Sequence, residues 1–185
     1  MAKILFGYRS LGCYPNPCEY ISEFKITDRG TLILRITSRL MEHKFTHKIS
    51  LSEQVISDMS MVLMKYQDRI KKFPPYIENY LVCDGTHQCF TLLGKHIGIN
   101  NIGRYTPQML KRIKAELGEG QYHNAILQNE LLEIVAEIYP ILRPHGMKVS
   151  RWEIFECDWP PLAKLATFAS NLTSDLFTGN RHTLL

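Results

Sequence analysis

The sequence lacks any run of about 20 apolar residues, the length that a membrane-spanning helix needs. The first nine residues form too short an apolar run for a signal peptide and carry no cleavage pattern. Five cysteines are present, and an odd number fits a disulfide framework poorly, so we expect free thiols. These absences predict a cytoplasmic protein without membrane association.

The sequence also lacks a strong charge of one sign, since 22 basic and 18 acidic residues give a net charge of +4. The basic residues are concentrated only at Lys71-Lys72 and at Lys111, Arg112 and Lys114, a pattern more typical of solvated helix surfaces than of a nucleic-acid site. Glycines 94, 98 and 103 fit neither a P-loop nor a dinucleotide fingerprint. No cofactor is therefore expected, and nucleic-acid binding through the second basic cluster is a minor hypothesis.

What the first half does contain is alternating strands and one well-marked helix. Strands are predicted over residues 3–8, 20–26, 32–36 and 45–49, with a turn at 28–30 between the second and third. A helix is predicted over 50–71, because Ser50 and Glu53 form a capping-box pattern and apolar residues recur every three or four positions. Pro74-Pro75 forbids its continuation.

Residues 80–93 predict a β-hairpin, because apolar residues run up to Asp84-Gly85 and resume after it. A glycine-containing loop is expected over 94–106. A helix is then predicted over 106–117, with Thr106 as its N-cap and Gly118 as its end. Further helices over 122–139 and 158–176 are expected to flank a strand within 149–157.

Strands thus cluster in the first half and helices in the second, which favours an α+β fold over alternating βαβ units. We expect one domain over 1–185, with a sheet-rich part at 1–105 that includes the helix at 50–71. The antiparallel hairpins would pack against that helix, and residues 106–185 would form a helical part.

The predicted hairpin gathers the densest set of reactive side chains in the chain. Cys83, His87 and Cys89 are the residue types of a zinc site, although their spacing exceeds that of a tight knuckle. A thiol with His87 and Asp84 also supplies the types needed for nucleophilic catalysis. Strand alternation opposes both interpretations, because it sends neighbouring side chains to opposite faces. A small enzyme or ligand-binding domain that uses the 83–89 hairpin and the 94–106 loop is nevertheless an alternative.

Two further groups predict binding without catalysis. Arg104 precedes a helix N-terminus, where backbone N–H groups favour anions. Trp152, Phe155 and Trp159 form an aromatic-rich region near a proline-rich stretch, which either packs in the core or anchors a protein interface.

Turn and cap patterns over residues 18–117 resemble those of small, uncharacterised bacterial cytoplasmic proteins of the toxin-immunity and mobile-element type. The resemblance rests on Arg29-Gly30-Thr31-Leu32, the helix at 50–70, Asp84-Gly85-Thr86 and Gly103 before Pro107. It implies a protein partner, such as a toxin that is neutralised by stoichiometric binding, and it brings no catalytic residues. Our leading hypothesis from the sequence is accordingly a non-catalytic protein-binding module of the immunity-protein kind.

Overall fold

The computed structural model describes residues 2–11, 20–38, 44–79, 87–100, 102–145, 147–149 and 155–157. Seven strands form the main sheet: β1 Ile4–Leu11, β2 Tyr20–Thr27, β3 Thr31–Ser38, β4 Lys44–Ser50, β5 Tyr76–Ile77, β6 His87–Leu92 and β7 Lys95–Asn100. Their order is β4-β3-β2-β1-β6-β7-β5, and every neighbouring pair is antiparallel except β5 and β7. Among the described residues, three α-helices follow or interrupt the strands: α1 Glu53–Lys65, α2 Gln67–Lys72 and α3 Pro107–Leu142. The α+β architecture predicted from the sequence is therefore confirmed.

One face of this sheet is apolar because its strands alternate with a period of two. Phe6 and Tyr8 of β1 lie directly opposite Leu92 and Phe90 of β6, and all four side chains are buried. The same core receives buried residues from both long helices: Met59 and Leu63 of α1, and Leu131, Leu132, Ile134, Val135, Ile138 and Leu142 of α3. Both helices thus pack on this one face of the sheet, which we call the core face.

The first helix begins later than the capping-box pattern predicts. Ser50 is the last residue of β4, where it pairs with Thr31, so its backbone is extended. Ser52 is the N-cap instead, and its hydroxyl accepts a hydrogen bond from the backbone N–H of Val55 at 3.4 Å. Strand pairing has therefore displaced the helix start by two residues.

An ion-pair cluster joins α1 and α2 to α3. Lys65 Nζ donates to both carboxylate oxygens of Glu137, at 2.7 and 2.9 Å, and the Tyr66 hydroxyl donates to the same carboxylate. Arg69 bonds Glu133 at 2.8 Å, and both cations lie against the Tyr66 ring. Glu133 and Glu137 are thus the carboxylates of α3 that bind the cations of α1 and α2.

The structure differs from the hairpin predicted over residues 80–93 and from the loop predicted over 94–106. The Asp84-Gly85 turn lies outside the described residues, but both edges of β6 are occupied by β1 and β7 over His87–Leu92. β6 forms its hairpin with β7, through Leu93 and Gly94, which both have positive φ as a two-residue type I′ turn requires. Six of the thirteen residues predicted as a glycine-containing loop, Lys95–Asn100, are therefore strand.

The last long helix bends at Gly118, where φ is 84° and ψ is 178°. Thr106 caps its start by accepting from the N–H of Met109, as predicted. We call residues 107–117 the first arm, residues 119–142 the second arm and Gly118 the elbow. Ile113 of the first arm packs with Ala125 of the second in a small separate cluster.

The second arm continues to Leu142, past Pro140, where the sequence predicted an end. Pro140 has no backbone N–H and therefore cannot make the helical hydrogen bond at its position. Burial of Ile138 and Leu142 offsets the free energy that this missing bond costs. Beyond it, β8 Met147–Val149 and β9 Phe155–Cys157 pair as a two-stranded antiparallel sheet in place of the single predicted strand. The helix predicted at 158–176 lies outside the described residues. Within the described ranges, no helix is both long enough and apolar enough to cross a membrane.

The elbow yields a paired prediction about two nearby glycines. Gly118 occupies a backbone region that is essentially restricted to glycine, so Gly118→Ala should lower the free energy of unfolding by about 1–3 kcal/mol. Gly120 is helical, and an added Cβ there meets nothing within 4 Å. Gly120→Ala should raise the free energy of unfolding by up to about 1 kcal/mol. Urea unfolding of both variants measures the two changes in the free energy of unfolding. Changes of the same sign in both variants would contradict the prediction.

The interhelical cluster predicts a specific acid sensitivity. The hydrogen bond from Lys65, followed by that from Tyr66, lowers the pKa of Glu137 below its ordinary value. A lowered folded-state pKa contributes stability that is present above the unfolded pKa and is lost as the pH falls through the folded one. Urea midpoints measured from neutral to acidic pH should fall less steeply in Glu137→Gln than in the wild type. Glu130→Gln on the same helix is the control and should keep the wild-type slope.

Candidate functional site

The face of the sheet opposite the core face, which we call the outer face, carries mostly polar side chains, and Arg9, Arg35, Lys48, Tyr76 and His96 are exposed on it. Strand alternation and register place on it Gly7, Arg9, Glu23, Lys25, Ile33, Arg35, Thr46, Lys48, Tyr76, His87, Cys89, Thr91, His96 and Gly98. Because α1 and α3 lie on the core face, no described helix covers these side chains. The outer face is therefore the largest surface on which the fold presents side chains from many strands together.

One straight row of directly opposed residues crosses the whole outer face. Reading across the sheet from β4 to β5, it consists of Thr46, Arg35, Glu23, Arg9, Cys89, Gly98 and Tyr76. Opposed side chains on neighbouring strands have Cβ atoms about 4.5–5.5 Å apart, so these residues form one continuous strip. The strip runs from charged side chains at one end to an aromatic ring at the other.

The charged end of the strip is predominantly cationic. Glu23 bonds Lys25 at 2.7 Å and lies 3.6 Å from Arg35. Arg9 is exposed and makes no ion pair within 4.0 Å of any described carboxylate. Among the residues whose side chains the structure describes, Lys48 is a fourth cation on the outer face, against the one carboxylate of Glu23. A surface with this balance attracts an anionic partner.

The aromatic end of the strip depends on Gly98. A Cβ at Gly98 would lie only 3.0 Å from the Tyr76 ring and 3.5 Å from the His87 ring. The two rings stack with centroids 6.1 Å apart and planes inclined by 17°, and Tyr76 remains 40% exposed. His87 Nδ1 lies 2.9 Å from Asn100 Oδ1, which fixes the orientation of the imidazole. The glycine thus creates a flat aromatic platform at the sheet edge.

The thiol of Cys89 lies between these two ends. It shares the outer face with His87, two residues away on β6, so the structure brings together two of the side chains singled out in the sequence. Half-burial raises the pKa of Cys89, and the backbone hydrogen bond with Ile97 and the nearby charge of Arg9 oppose this effect only in part. A thiol with a raised pKa is mostly protonated at neutral pH, which is the opposite of an activated nucleophile. Among the described residues, no group of three His, Cys, Asp or Glu side chains could hold a metal ion.

The other predicted site residues are dispersed. Arg104 is exposed in the loop between β7 and α3, and the hydroxyl of Thr106 already caps the helix N-terminus beside it. Phe155 lies in β9, a strand outside the main sheet. Cys83, Asp84, Trp152 and Trp159 lie outside the described residues. The metal and catalytic hypotheses that need Cys83 or Asp84 therefore stay predictions.

The basic cluster on the first arm of α3 is largely paired. Arg112 Nε bonds Glu116 at 2.7 Å, and Lys114 Nζ lies 3.0 Å from Glu119. These pairs reduce the positive field of the cluster. The outer face, rather than this arm, therefore carries the stronger unbalanced charge.

Sequence reasoning missed three amide side chains that hold the loop between β7 and α3. Gln88 Oε1 accepts from Ile102 N–H at 2.8 Å, and Gln128 Oε1 accepts from Gly103 N–H at 3.0 Å. Asn129 bonds both the N–H and the carbonyl of Tyr105, each at 2.8 Å. The sequence does contain a pattern that indicates the role of the two glutamines. Each is a polar residue at a position where strand or helix periodicity requires burial, and a buried amide needs hydrogen-bond partners.

Compared with known proteins, the chain matches no family model and no curated protein sequence.

Burial of Cys89 predicts slow alkylation. Because its pKa is raised, iodoacetamide should modify Cys89 at neutral pH more slowly than it modifies the same cysteine in the urea-unfolded chain. The rate in the folded protein should rise as the pH is increased and the thiolate forms. Mass spectrometry of the peptide that contains Cys89 measures both rates. Equal rates in the folded and unfolded chains would show that the thiol is not protected.

Proposed function

We propose that this chain is a non-catalytic binding protein whose outer face receives an acidic surface of a protein partner. The observation that carries the proposal is the strip across the sheet, which contains Arg35, Glu23 and Arg9 and ends at the exposed Tyr76, with Lys25 and Lys48 beside it on the same face. Complementary charge steers association, while exposed aromatic residues are frequent anchors of interfaces. Charge and anchor are thus present on one surface.

The dimensions of the outer face suit a protein partner. The six longer strands, spaced about 4.8 Å apart, give a width of about 24 Å, and with six to eight residues each they are about 20–27 Å long; the two-residue β5 adds only a short edge. Such a rectangle is of the same order as the roughly 800 Å² that each partner contributes to a standard interface.

Chemistry on this face supports binding more than catalysis. Cys89 has a raised pKa, and the Nδ1 of His87 is engaged by Asn100. Glu23, which is the one carboxylate of the strip, is engaged by Lys25. The candidate reactive groups are therefore held in structural interactions.

The partner class follows from the sign of the charge. The resemblance to toxin-immunity proteins implies neutralisation of a toxin, and a cationic face favours an acidic toxin over a basic nuclease. A cytoplasmic location belongs to the same proposal, since it rests on the free thiols expected from the sequence.

Single-stranded nucleic acid is the competing ligand for a cationic sheet with a stacked aromatic pair. Such sites usually present several aromatic rings along the track of the strand, whereas the described rings of the outer face are confined to one edge. Glu23, which lies between Arg35 and Arg9 in the strip, would also repel phosphates. The protein partner is therefore the better supported of the two.

Charge reversal tests the proposal. The double variant Arg9→Glu and Arg35→Glu changes two exposed side chains of the strip. The matched control, Lys111→Glu and Arg112→Glu, makes the same change of charge on the first arm of α3. Tagged forms of the wild type and both variants would be used to recover partners from the native cell, with urea midpoints confirming that all three fold.

We expect the outer-face variant to bind the recovered protein at least about tenfold more weakly, because each exposed charge pair contributes about 0.2–1 kcal/mol and reversal adds repulsion. The control should bind within about twofold of the wild type. If the outer-face variant still binds the recovered protein and the control variant does not, the interface lies on the first arm of α3 instead of the outer face. If RNA is recovered with the tagged wild type and nuclease treatment removes it, single-stranded nucleic acid is the better supported ligand.

A further inference from the structure

The two edges of the main sheet differ in length. β5, at one edge, contains only Tyr76 and Ile77, whereas β4, at the other, runs for seven residues from Lys44 to Ser50. Among the described residues, no strand pairs with the outer side of β4. A short edge strand offers little backbone to another chain, while a long one can accept an added strand. β4 is therefore the edge at which this sheet can be extended.

The hydrogen bonds between β3 and β4 show which backbone groups of β4 face outward. The N–H of Leu51 donates to the carbonyl of Gly30 at 2.7 Å, and the pairing of Leu32 with Ile49 continues the same register. Antiparallel neighbours exchange hydrogen bonds at every second pair, so Ile49 and His47 bond to β3. The N–H and carbonyl groups of the even-numbered residues of β4 therefore point away from the sheet.

The even-numbered residues of β4 are also the accessible ones. Thr46, Lys48 and Ser50 are all exposed, whereas His47 and Ile49 are half-buried. The exposed residues direct their side chains to the outer face and their backbone groups to the edge. A chain laid along β4 would thus find N–H and carbonyl partners without displacing any described strand.

Charge at this edge determines what kind of chain can join it. Lys48 of β4 and Arg35 of β3 are exposed on the outer face, and neither of these two strands contains a carboxylate. An incoming strand with carboxylates on the outer face would meet these cations, whereas a basic strand would be repelled. The edge therefore favours an acidic segment.

A second copy of β4 is a poor occupant of the same edge. The strand contains two lysines and no carboxylate, so pairing two copies would bring like charges together without compensation. Lysine on an edge strand is a common means by which proteins prevent such self-association. Charge thus favours a chain of opposite sign over a second copy of this one.

The core face sets the other half of the pattern. Ile49 is half-buried and packs against the core, so an added strand would meet an apolar side chain on that face. Side chains of a strand alternate between the two faces of the sheet, so apolar residues are needed at the positions between the carboxylates. The edge therefore fits an extended segment in which acidic and apolar residues alternate.

We propose that the β4 edge binds an extended segment of a partner protein by antiparallel strand addition, with acidic side chains on the outer face and apolar side chains on the core face. Addition of a strand to an open sheet edge is a general mode of peptide recognition, and antiparallel pairing is the more stable direction. This site is the edge of the sheet, so it stands whether or not the outer face itself binds a protein.

Two synthetic peptides of alternating glutamate and valine test the proposal. One carries N-methyl groups on its valine nitrogens and the other on its glutamate nitrogens, so their charge is the same. Directly opposed residues of an antiparallel pair exchange hydrogen bonds, so the glutamates opposed to Thr46 and Lys48 need their N–H groups. The valine-methylated peptide should bind, and the glutamate-methylated peptide should bind at least about tenfold more weakly because those hydrogen bonds are lost.

Amide hydrogen exchange of the ¹⁵N-labelled full chain, followed by NMR, locates the bound peptide. In the free chain, the amides of Thr46 and Lys48 should exchange faster than those of His47 and Ile49, which bond to β3. A saturating concentration of the valine-methylated peptide should slow exchange at Thr46 and Lys48 by at least about tenfold.

Three variants separate the edge from the outer face. Thr46→Pro removes an N–H that points away from β3, so the chain should still fold, and Lys48→Glu reverses the charge at the edge. Each should weaken binding of the valine-methylated peptide at least about fivefold. Arg9→Glu is the matched control, because it lies three strands from β4, about 14 Å away and beyond the Debye length of about 10 Å at 0.1 M salt. It should bind the peptide within about twofold of the wild type.

Four results would overturn the proposal. The first is that the valine-methylated peptide does not bind, or binds no more tightly than the glutamate-methylated one. The second is unchanged exchange at Thr46 and Lys48 when the peptide is bound. The third is equal weakening by Arg9→Glu and Lys48→Glu, which would place the peptide on the outer face. The fourth is a wild-type dimer that Thr46→Pro abolishes, which would assign the edge to a second copy.

The outcome does not depend on one variant. If Thr46→Pro does not fold, Lys48→Glu, its control and the comparison of the two peptides still decide between the edge and the outer face.

Discussion

One-sided burial of the antiparallel sheet is the constraint from which the rest of the fold follows. β1 lies at its centre and pairs with β2 and β6, so its alternating residues set the register on both sides. Phe6 and Tyr8 are buried on the core face, whereas Arg9 is exposed on the other. A slip of one residue in either pairing would move every apolar side chain of a strand into solvent. The same alternation that builds the core therefore also assembles the charged strip.

Because the described helices pack on one face of the sheet, the chain must cross from the sheet to the helical layer, and amide side chains bind the backbone where it does so. The segment between β7 and α3 must pass from the sheet to the helical layer, and its backbone groups at Ile102 and Gly103 lose contact with water there. Gln88 on the sheet and Gln128 on the helix each accept one of these N–H groups. Leaving either group unpaired would cost about 1–3 kcal/mol, so the two glutamines are as necessary to the connection as the apolar residues around them.

The sequence predicted well those features that depend on near neighbours. The turn at 28–30, the cap at Thr106 and the break at Gly118 are each determined by a few adjacent residues, and all three are found. Predictions failed where a distant strand competed with a local pattern. Ser50 could cap a helix, but pairing with Thr31 holds it in β4. Likewise β1, about 80 residues before β6 in the chain, takes the edge that a local hairpin would need.

The cationic outer face was not predicted from the sequence for a related reason. Its basic residues are far apart in the chain, and the order of the strands brings them together on one face of the sheet. Arg9, Lys25, Arg35 and Lys48 are at least ten residues apart and form no basic run, so the small net charge gave no indication of a cationic surface. Each lies on a different strand at a position of the same alternation, and four neighbouring strands bring them onto one face. Lys111, Arg112 and Lys114 show the converse, because adjacency in sequence allowed helical carboxylates at short spacing to pair with two of them. In a sheet protein, the number of residues of one charge that share a strand face is thus a better guide to a binding surface than their density along the chain.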